Sequence, residues 1–267
     1  MKLAVLGDPL RYTRSPDLHR AGLEAAGLAG ESSAIRTPLA ELGARLDALA
    51  AAGWRGVNLT HPLKEAALEL LPRLSDASRR ARAVNTVGFE DGGAWGDTTD
   101  GAGFVDLLHW RGRDPAAERV VLLGAGGAAR GLALALADAR CGTIAMSARD
   151  PDAARERVRG TPAASVVPWR SAAERVALAA ATLVVNATPL GGEDGPVALE
   201  SVARGARVVD LAYGPEVTPW VRRARALGLE AEDGLGLLVF QARRSLGLWT
   251  GREIPLDPLA RAVGWPR

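Results

Sequence analysis

Two residues in this sequence could form an acid/base pair. Of its 33 basic residues, 31 are arginine and only Lys2 and Lys64 are lysine. A guanidinium stays charged in nearly any setting, whereas a lysine amine is a compact donor whose pKa its surroundings can move, so the two are not interchangeable at a reactive site. Lys64 closes the stretch GVNLTHPLK, residues 56 to 64, where a short apolar run gives way to Thr60, a His-Pro break and the head of a helix. Asp100 lies in WGDTTDGAGF, where a hairpin ends and another helix opens. An amine and a carboxylate brought together could exchange the proton of an alcohol as hydride leaves its carbon, and could steady the alkoxide that develops. Plainer roles also suit them: a solvated lysine at a helix start, and a helix N-cap worth about 1 kcal/mol.

A second cluster suits a cofactor. VVLLGAGGAAR sets Gly124, Gly126 and Gly127 between an apolar strand and a helix, which lets backbone N–H groups and the helix N-terminus approach a pyrophosphate. At the tip of the next strand an acidic residue would bind the ribose hydroxyls of NAD, and an arginine would suit the 2′-phosphate of NADP. That strand ends IAMSARD: Arg149 points to NADP, and Asp150 keeps NAD open.

The elements that must carry these residues follow from the hydrophobic rhythm. Residues 2 to 60 read as strand, helix, strand, helix, strand, which implies right-handed crossovers and a mainly parallel sheet. Ser15 followed by Pro16 predicts an N-cap and a first-position proline for the first helix. Two helical pieces follow Lys64, and EDGG predicts the turn of a hairpin that closes the first unit near Asp100. Beyond a helix at GAGFVDLLHW, five strands (in RVVLL, GTIAMS, SVVP, TLVVNA and RVVDLA) alternate with helices, the pattern of a doubly wound nucleotide-binding sheet. The chain from about Leu235 is helical, with no strand left to pair, and is expected to pack back on the first unit.

Composition narrows the classes. A length of 267 residues suits two modest domains, and a net charge of +2 with no basic stripe gives no nucleic-acid footprint. Cys141 is the only cysteine, and His19, His61 and His109 lack metal-ligand spacing, so neither an internal disulfide nor a bound metal is expected. The N-terminal apolar run is too short for a signal peptide or membrane span, and a cytoplasmic protein is expected.

The motifs GDPLRYTRSPDLHR, GVNLTHPLKEAAL, AVNTV, GDTTDGAGF, LGAGGAARG, VNATPLG, VVDLAYGPEVTP and DGLGLLVFQA, in this order and spacing, resemble the shikimate dehydrogenase family over nearly the whole chain. The resemblance implies an α/β protein of two domains: a substrate domain of residues 1–100 completed by C-terminal helices in 237–267, and a Rossmann-type NADP domain of residues 101–236, with a cleft where substrate and nicotinamide meet. It implies that Lys64 and Asp100 are catalytic, and that Thr13, Ser15, Thr60, Asn85, Tyr213 and Gln241 hold the carboxylate and ring hydroxyls of a small-molecule substrate. It further implies that Gly124, Ala125, Gly126, Gly127, Ala128, Ala129 and Arg149 hold the pyrophosphate and 2′-phosphate, and that Asn186, Thr188, Leu211 and Gly234 line the nicotinamide. The activity implied is reversible, NADP-dependent reduction of 3-dehydroshikimate to shikimate, in a monomer or homodimer without nucleic acid or membrane. The alternatives are a dehydrogenase of quinate or another hydroxylated ring acid, with NADP or NAD, and a non-catalytic ligand sensor. The sequence departs from the family pattern at Tyr12-Thr13, where His-Ser is usual, and at Thr98, where Asn is usual; both departures bear on substrate choice.

Overall fold

β1 (Lys2–Gly7) is buried beyond its first residue, as a central parallel strand covered on both faces should be. It pairs in parallel with β2 (Glu31–Arg36) and with β3 (Gly56–Leu59). α1 (Ser15–Ala25) and α2 (Leu42–Ala51) make the crossovers. The chain continues through α3 (Leu63–Leu70), a two-residue β4 (Arg73–Leu74) and α4 (Asp76–Ala81) to the hairpin of β5 (Thr86–Glu90) and β6 (Gly93–Asp97). Asp91 and Gly92 form its two-residue loop, and Glu90 faces Gly93. The six strands run β2-β1-β3-β5-β6-β4, with β5 antiparallel to β3. Leu6, Val57 and Leu59 of the sheet pack with Leu42, Leu46 and Leu63 of the helices in one core.

The computed structural model describes every residue except Arg11, Gly160, Pro162, Ala163, Glu193 and Asp194. The chain divides into two units, Met1–Gly103 with Leu238–Pro266, and Phe104–Leu237 with Arg267. α5 (Asp100–Trp110) carries the chain from the first unit into the second. There β7 (Arg119–Leu123), α6 (Gly127–Asp138), β8 (Thr143–Ala148), α7 (Pro151–Arg157), β9 (Ala164–Pro168), α8 (Ala172–Ala180), β10 (Leu183–Asn186), β11 (Arg207–Asp210), α9 (Pro219–Ala226) and β12 (Glu230–Glu232) build a sheet in the order β12-β11-β10-β7-β8-β9. Every pairing in it is parallel, and the order reverses at β7, which is the doubly wound nucleotide-binding topology. α10 (Leu235–Thr250) returns the chain to the first unit, where α11 (Leu256–Val263) packs on α1. Among the described residues no helix is long and apolar enough to cross a membrane.

Three local expectations change. Ser15 is the first residue of α1 and Arg14 its N-cap, with no side-chain capping bond. Thr13 Oγ1 accepts from the Ser15 N–H at 3.2 Å, so the threonine supplies the local side-chain-to-backbone bond one turn earlier. The second sheet has a sixth strand, β12, and the first has the short β4 beside the five strands read from sequence. β12 is only three residues long, and the buried Arg207 guanidinium pairs with both Glu230 and Glu232 along it, so ion pairing supplements a ladder that has little apolar content.

Within the first unit α5 meets α10 at Gly103. A Cβ built there would stand 2.8 Å from the Gln241 backbone nitrogen, a neighbour that cannot swing aside. Gly103→Ala should therefore destabilise the protein by about 1–3 kcal/mol through overpacking. Urea unfolding measures this, and an unchanged midpoint would show that the two helices separate freely.

Candidate active site

Lys64 is the second residue of α3, and Val84 N–H donates to its carbonyl at 2.8 Å, which ties the helix start to the strand-side chain. Asp100 is the first residue of α5, three residues beyond β6. Their side chains meet: Lys64 Nζ lies 2.6 Å from Asp100 Oδ2, with 26% and 15% of the side chains exposed. The other carboxylate oxygen, Oδ1, accepts from Asn85 Nδ2 at 2.8 Å. An ammonium has three donors, so Lys64 retains two beyond the one spent on Asp100.

Asn85 is 2% exposed, at the entry to β5. Its Nδ2 also faces Thr99 Oγ1 at 3.0 Å and Gln241 Oε1 at 3.2 Å, while its Oδ1 accepts from the Thr99 N–H at 2.8 Å and from Thr86 Oγ1 at 2.9 Å. Beneath it Asn58 Nδ2 faces the Asn85 carbonyl at 2.9 Å, Ser245 Oγ at 3.0 Å and Thr86 Oγ1 at 3.2 Å. Asn58 Oδ1 lies 2.9 Å from His19 Nε2, and His19 Nδ1 lies 2.8 Å from Ser32 Oγ. The Thr98 N–H is held by Asp97 Oδ1 at 2.7 Å.

Of the other expected substrate residues, Thr13 and Ser15 pair at the head of α1, with Thr13 Oγ1 donating to Ser15 Oγ at 3.3 Å. Thr60 follows β3, and its methyl group fills the space where Gly7 lacks a side chain. Gln241 joins the network through Asn85, and its Nε2 donates to the Leu238 carbonyl at 3.1 Å. Tyr213 belongs to the second unit, half-buried in the loop after β11.

In the second unit Gly124 has φ +107, and an added Cβ would press on Thr188 Cγ2 at 3.0 Å, so the turn requires glycine for both reasons. α6 opens at Gly127, and no side chain caps its N-terminus. The first-turn N–H groups of Gly127, Ala128 and Ala129 thus sit where an anion can meet both donors and the positive end of the helix dipole. A cavity of about 400 Å³ adjoins this turn, lined by Gly124 to Gly126, Ala148, Arg149, Arg157, Trp169 and Thr188. Asp150, its neighbour, caps α7 by accepting from the Ala153 N–H at 3.0 Å. Asn186 is buried; its Oδ1 accepts from the Thr188 N–H at 2.9 Å and its Nδ2 donates to Asp210 Oδ1 at 3.0 Å. The Leu211 N–H donates to the Asn186 carbonyl, and the Gly234 N–H to the Ala212 carbonyl, both at 2.9 Å. Burial pushes the Asp210 carboxyl above the usual range, against the donors Thr218, Ala212 N–H and Asn186.

Comparison with known proteins decides the lineage. A profile described as the shikimate dehydrogenase substrate binding domain matches residues 5–87. Over 270 residues the chain is 38% identical to the shikimate dehydrogenase (NADP(+)) of Moorella thermoacetica, covering 98% of this chain and 92% of that one. The chain belongs to the shikimate dehydrogenase family. The structure of shikimate 5-dehydrogenase from Thermus thermophilus in complex with NADP(H) and shikimate superposes with a TM-score of 0.88 at 37% identity, covering 99% and 98% of the two chains. The ligand-free 5-ketofructose reductase of a Gluconobacter strain superposes with a TM-score of 0.85 at 29% identity, covering 99% and 98%.

The network contains side chains that the sequence reading did not assign: His19, Asn58, Thr86, Thr99 and Ser245 in the first unit, and Asp210 in the second. Asn58 carried a signal, since a polar residue in the four-residue run GVNL must be satisfied if that strand is buried. His19 is fully buried, and desolvation takes its pKa down to about 4, opposed by the bond to Asn58 and helped by the charge of Arg20. The imidazole is therefore neutral in the folded protein where the unfolded chain, with its ordinary value near 6.5, takes up a proton. Its contribution is fully present above pH 6.5 and is lost as pH falls toward 4. This should remove about 3 kcal/mol of stability across that window. Urea unfolding of the wild type and His19→Gln at pH 7.5 and 4.5 measures the difference (both pH values chosen to span about the full window). The wild type should lose more stability than the variant, and equal losses would show that His19 is not held neutral.

Proposed function

We propose that the chain catalyses the NADP-dependent, reversible reduction of 3-dehydroshikimate to shikimate. The observation that carries this reading is the Lys64–Asp100 pair at 2.6 Å, half-sheltered and with one carboxylate oxygen already bonded to Asn85. The Moorella relative is a shikimate dehydrogenase using NADP(+), and the Thermus shikimate 5-dehydrogenase binds both NADP(H) and shikimate.

On this reading residues 1–100 and the C-terminal helices bind the substrate, and residues 101–236 bind NADP. Gly124 to Ala129 receive the pyrophosphate, and Arg149 makes a charge-assisted contact with the 2′-phosphate. Asn186 and Asp210 brace Thr188 and Leu211, which with Gly234 line the nicotinamide. Asp150 is committed to capping α7, which leaves the arginine as the group at the strand tip that selects the cofactor. Bound NADPH supplies a hydride to the ring carbonyl carbon. Lys64 hydrogen-bonds the carbonyl oxygen with a donor not used by Asp100, stabilises the negative charge that develops there, and delivers the proton that completes the hydroxyl. Asp100 keeps the ammonium in place and accepts from a neighbouring ring hydroxyl. Asn85 and Gln241 hold that side of the ring, and Thr13, Ser15, Thr60 and Tyr213 hold the carboxylate. A cytoplasmic monomer or homodimer fits a chain whose lone cysteine, Cys141, is a buried thiol with its pKa pushed up to about 11 by burial.

A second reading, a dehydrogenase of quinate or another hydroxylated ring acid, is favoured by Tyr12-Thr13 and by the Gluconobacter reductase, which has this fold and a different named substrate. Oxidation of shikimate, quinate and related acids with NADP+ and NAD+, followed at the nicotinamide absorbance in wild type and Lys64→Ala, separates the two. Shikimate with NADP+ should give the highest kcat/KM, and Lys64→Ala should lower kcat at least ~100-fold with KM much less changed. A preference for quinate overturns the substrate, and near wild-type turnover by Lys64→Ala overturns the role of the pair.

A further inference from the structure

We propose that His19 is a positioning residue for the reaction, fixing Asp100 through a one-way line of hydrogen bonds that runs Ser32, His19, Asn58, Thr86, Asn85, Asp100. The inference rests on the assignment of Asp100 to the reacting pair and goes beyond it, because His19 reaches neither the ammonium nor the carboxylate itself.

Two backbone groups settle the direction of the line. The Asn85 carbonyl is only an acceptor, so the Asn58 group 2.9 Å from it must be Nδ2. Asn58 Oδ1 then faces His19 and needs a donor, which places the imidazole hydrogen on Nε2. His19 Nδ1 is left as an acceptor for the Ser32 hydroxyl at 2.8 Å. At the far end the Thr99 N–H is only a donor, so the Asn85 group 2.8 Å from it must be Oδ1, and Nδ2 must face Asp100. Thr86 links the two amides: its oxygen faces Asn58 Nδ2, and its hydrogen is given to Asn85 Oδ1.

His19 is the group that holds Asn58 in that sense. Its ring is fully buried, edge-on to Trp249 with centroids 5.3 Å apart, and offers Asn58 Oδ1 a donor that water cannot replace. Without that donor Asn58 Oδ1 is left buried with no donor facing it, and the amide relaxes away from the position in which its Nδ2 meets the Asn85 carbonyl, Thr86 and Ser245. Thr86 and the Asn85 carbonyl then lose a well-placed donor, and the Thr86 hydroxyl that bonds Asn85 Oδ1 shifts with them. The displacement reaches Asp100 as a looser carboxylate, and an error of ångström size at a reacting group costs up to about 100-fold in rate.

The test is a double-mutant cycle on kcat, run well below each protein's Tm, with KM for NADP+ and Tm measured alongside. His19→Leu should lower kcat about 10-fold in the wild-type background and less than about 2-fold in Asp100→Ala, where the acceptor at the end of the line is gone. KM for NADP+ should not move, and His19→Gln, which restores one donor and one acceptor, should recover most of the loss. Thr86→Val, close in shape and lacking only the hydroxyl, should reproduce the cycle, and it decides the matter alone if His19→Leu does not fold. Unchanged kcat in the folded variants, or equal losses in both backgrounds, would overturn the proposal. Full turnover by Asp100→Ala alone would instead overturn the assignment of the pair, a separate result.

Discussion

The Thr99 N–H donates to Asn85 Oδ1 at 2.8 Å, and a backbone amide held between a strand and a helix cannot turn away. The other end of the Asn85 side chain is thereby aimed at Asp100, Thr99 and Gln241, which come from two segments of the chain. Were Asn85 reversed, its oxygen would face a carboxylate and its NH2 a backbone donor, two buried clashes of like polarity costing several kcal/mol together. The Lys64–Asp100 pair is thus placed by neutral groups whose orientation is settled before the charges are considered. Along the line of side chains from Ser32 to Lys64, among the described residues, formal charge sits on Lys64 and Asp100, and the ammonium has two donors beyond the one given to Asp100.

The second unit meets a different demand. The features proposed to bind an anion there are geometric and electrostatic: a turn that only glycine can make at Gly124, an uncapped helix start, and exposed Arg149 on the rim of the cavity. The rigid part lies underneath, where Asn186 and Asp210 are fully buried and bond to the loops that follow β10 and β11. Asp210 is retained in the core because three donors converge on it. It fixes the Asn186 side chain much as Thr99 fixes Asn85, by leaving one acceptable orientation.

Much of this was legible in the sequence, because the signals were local. The apolar runs around Leu3 to Leu6 and Val120 to Leu123 gave the central strands, and the glycines after Leu123 gave the turn. Lys64 was conspicuous against a background of arginine. What stayed hidden was non-local. β4 and β12 have two and three residues and exist through pairing partners distant in sequence. Ser15 reads as an N-cap by type, but Thr13 takes up its amide, an arrangement that depends on the turn before α1. His19, Thr86 and Ser245 look like ordinary polar residues at helix and strand positions; their importance arises only when α1, β5 and α10 bring them to the same buried spot. Of the members left unassigned, Asn58 carried a readable signal, a lone amide in a strand with no exposed face.

The central claim is that the Lys64–Asp100 pair meets the oxygen at which the substrate is oxidised. A crystal structure of the protein with shikimate and NADP+ tests it most directly. Lys64 Nζ should lie within about 3 Å of the ring hydroxyl on the carbon that receives or gives up hydride, with Asp100 still bonded to Asn85. Shikimate bound with that hydroxyl turned away from Lys64 and Asp100 would contradict it.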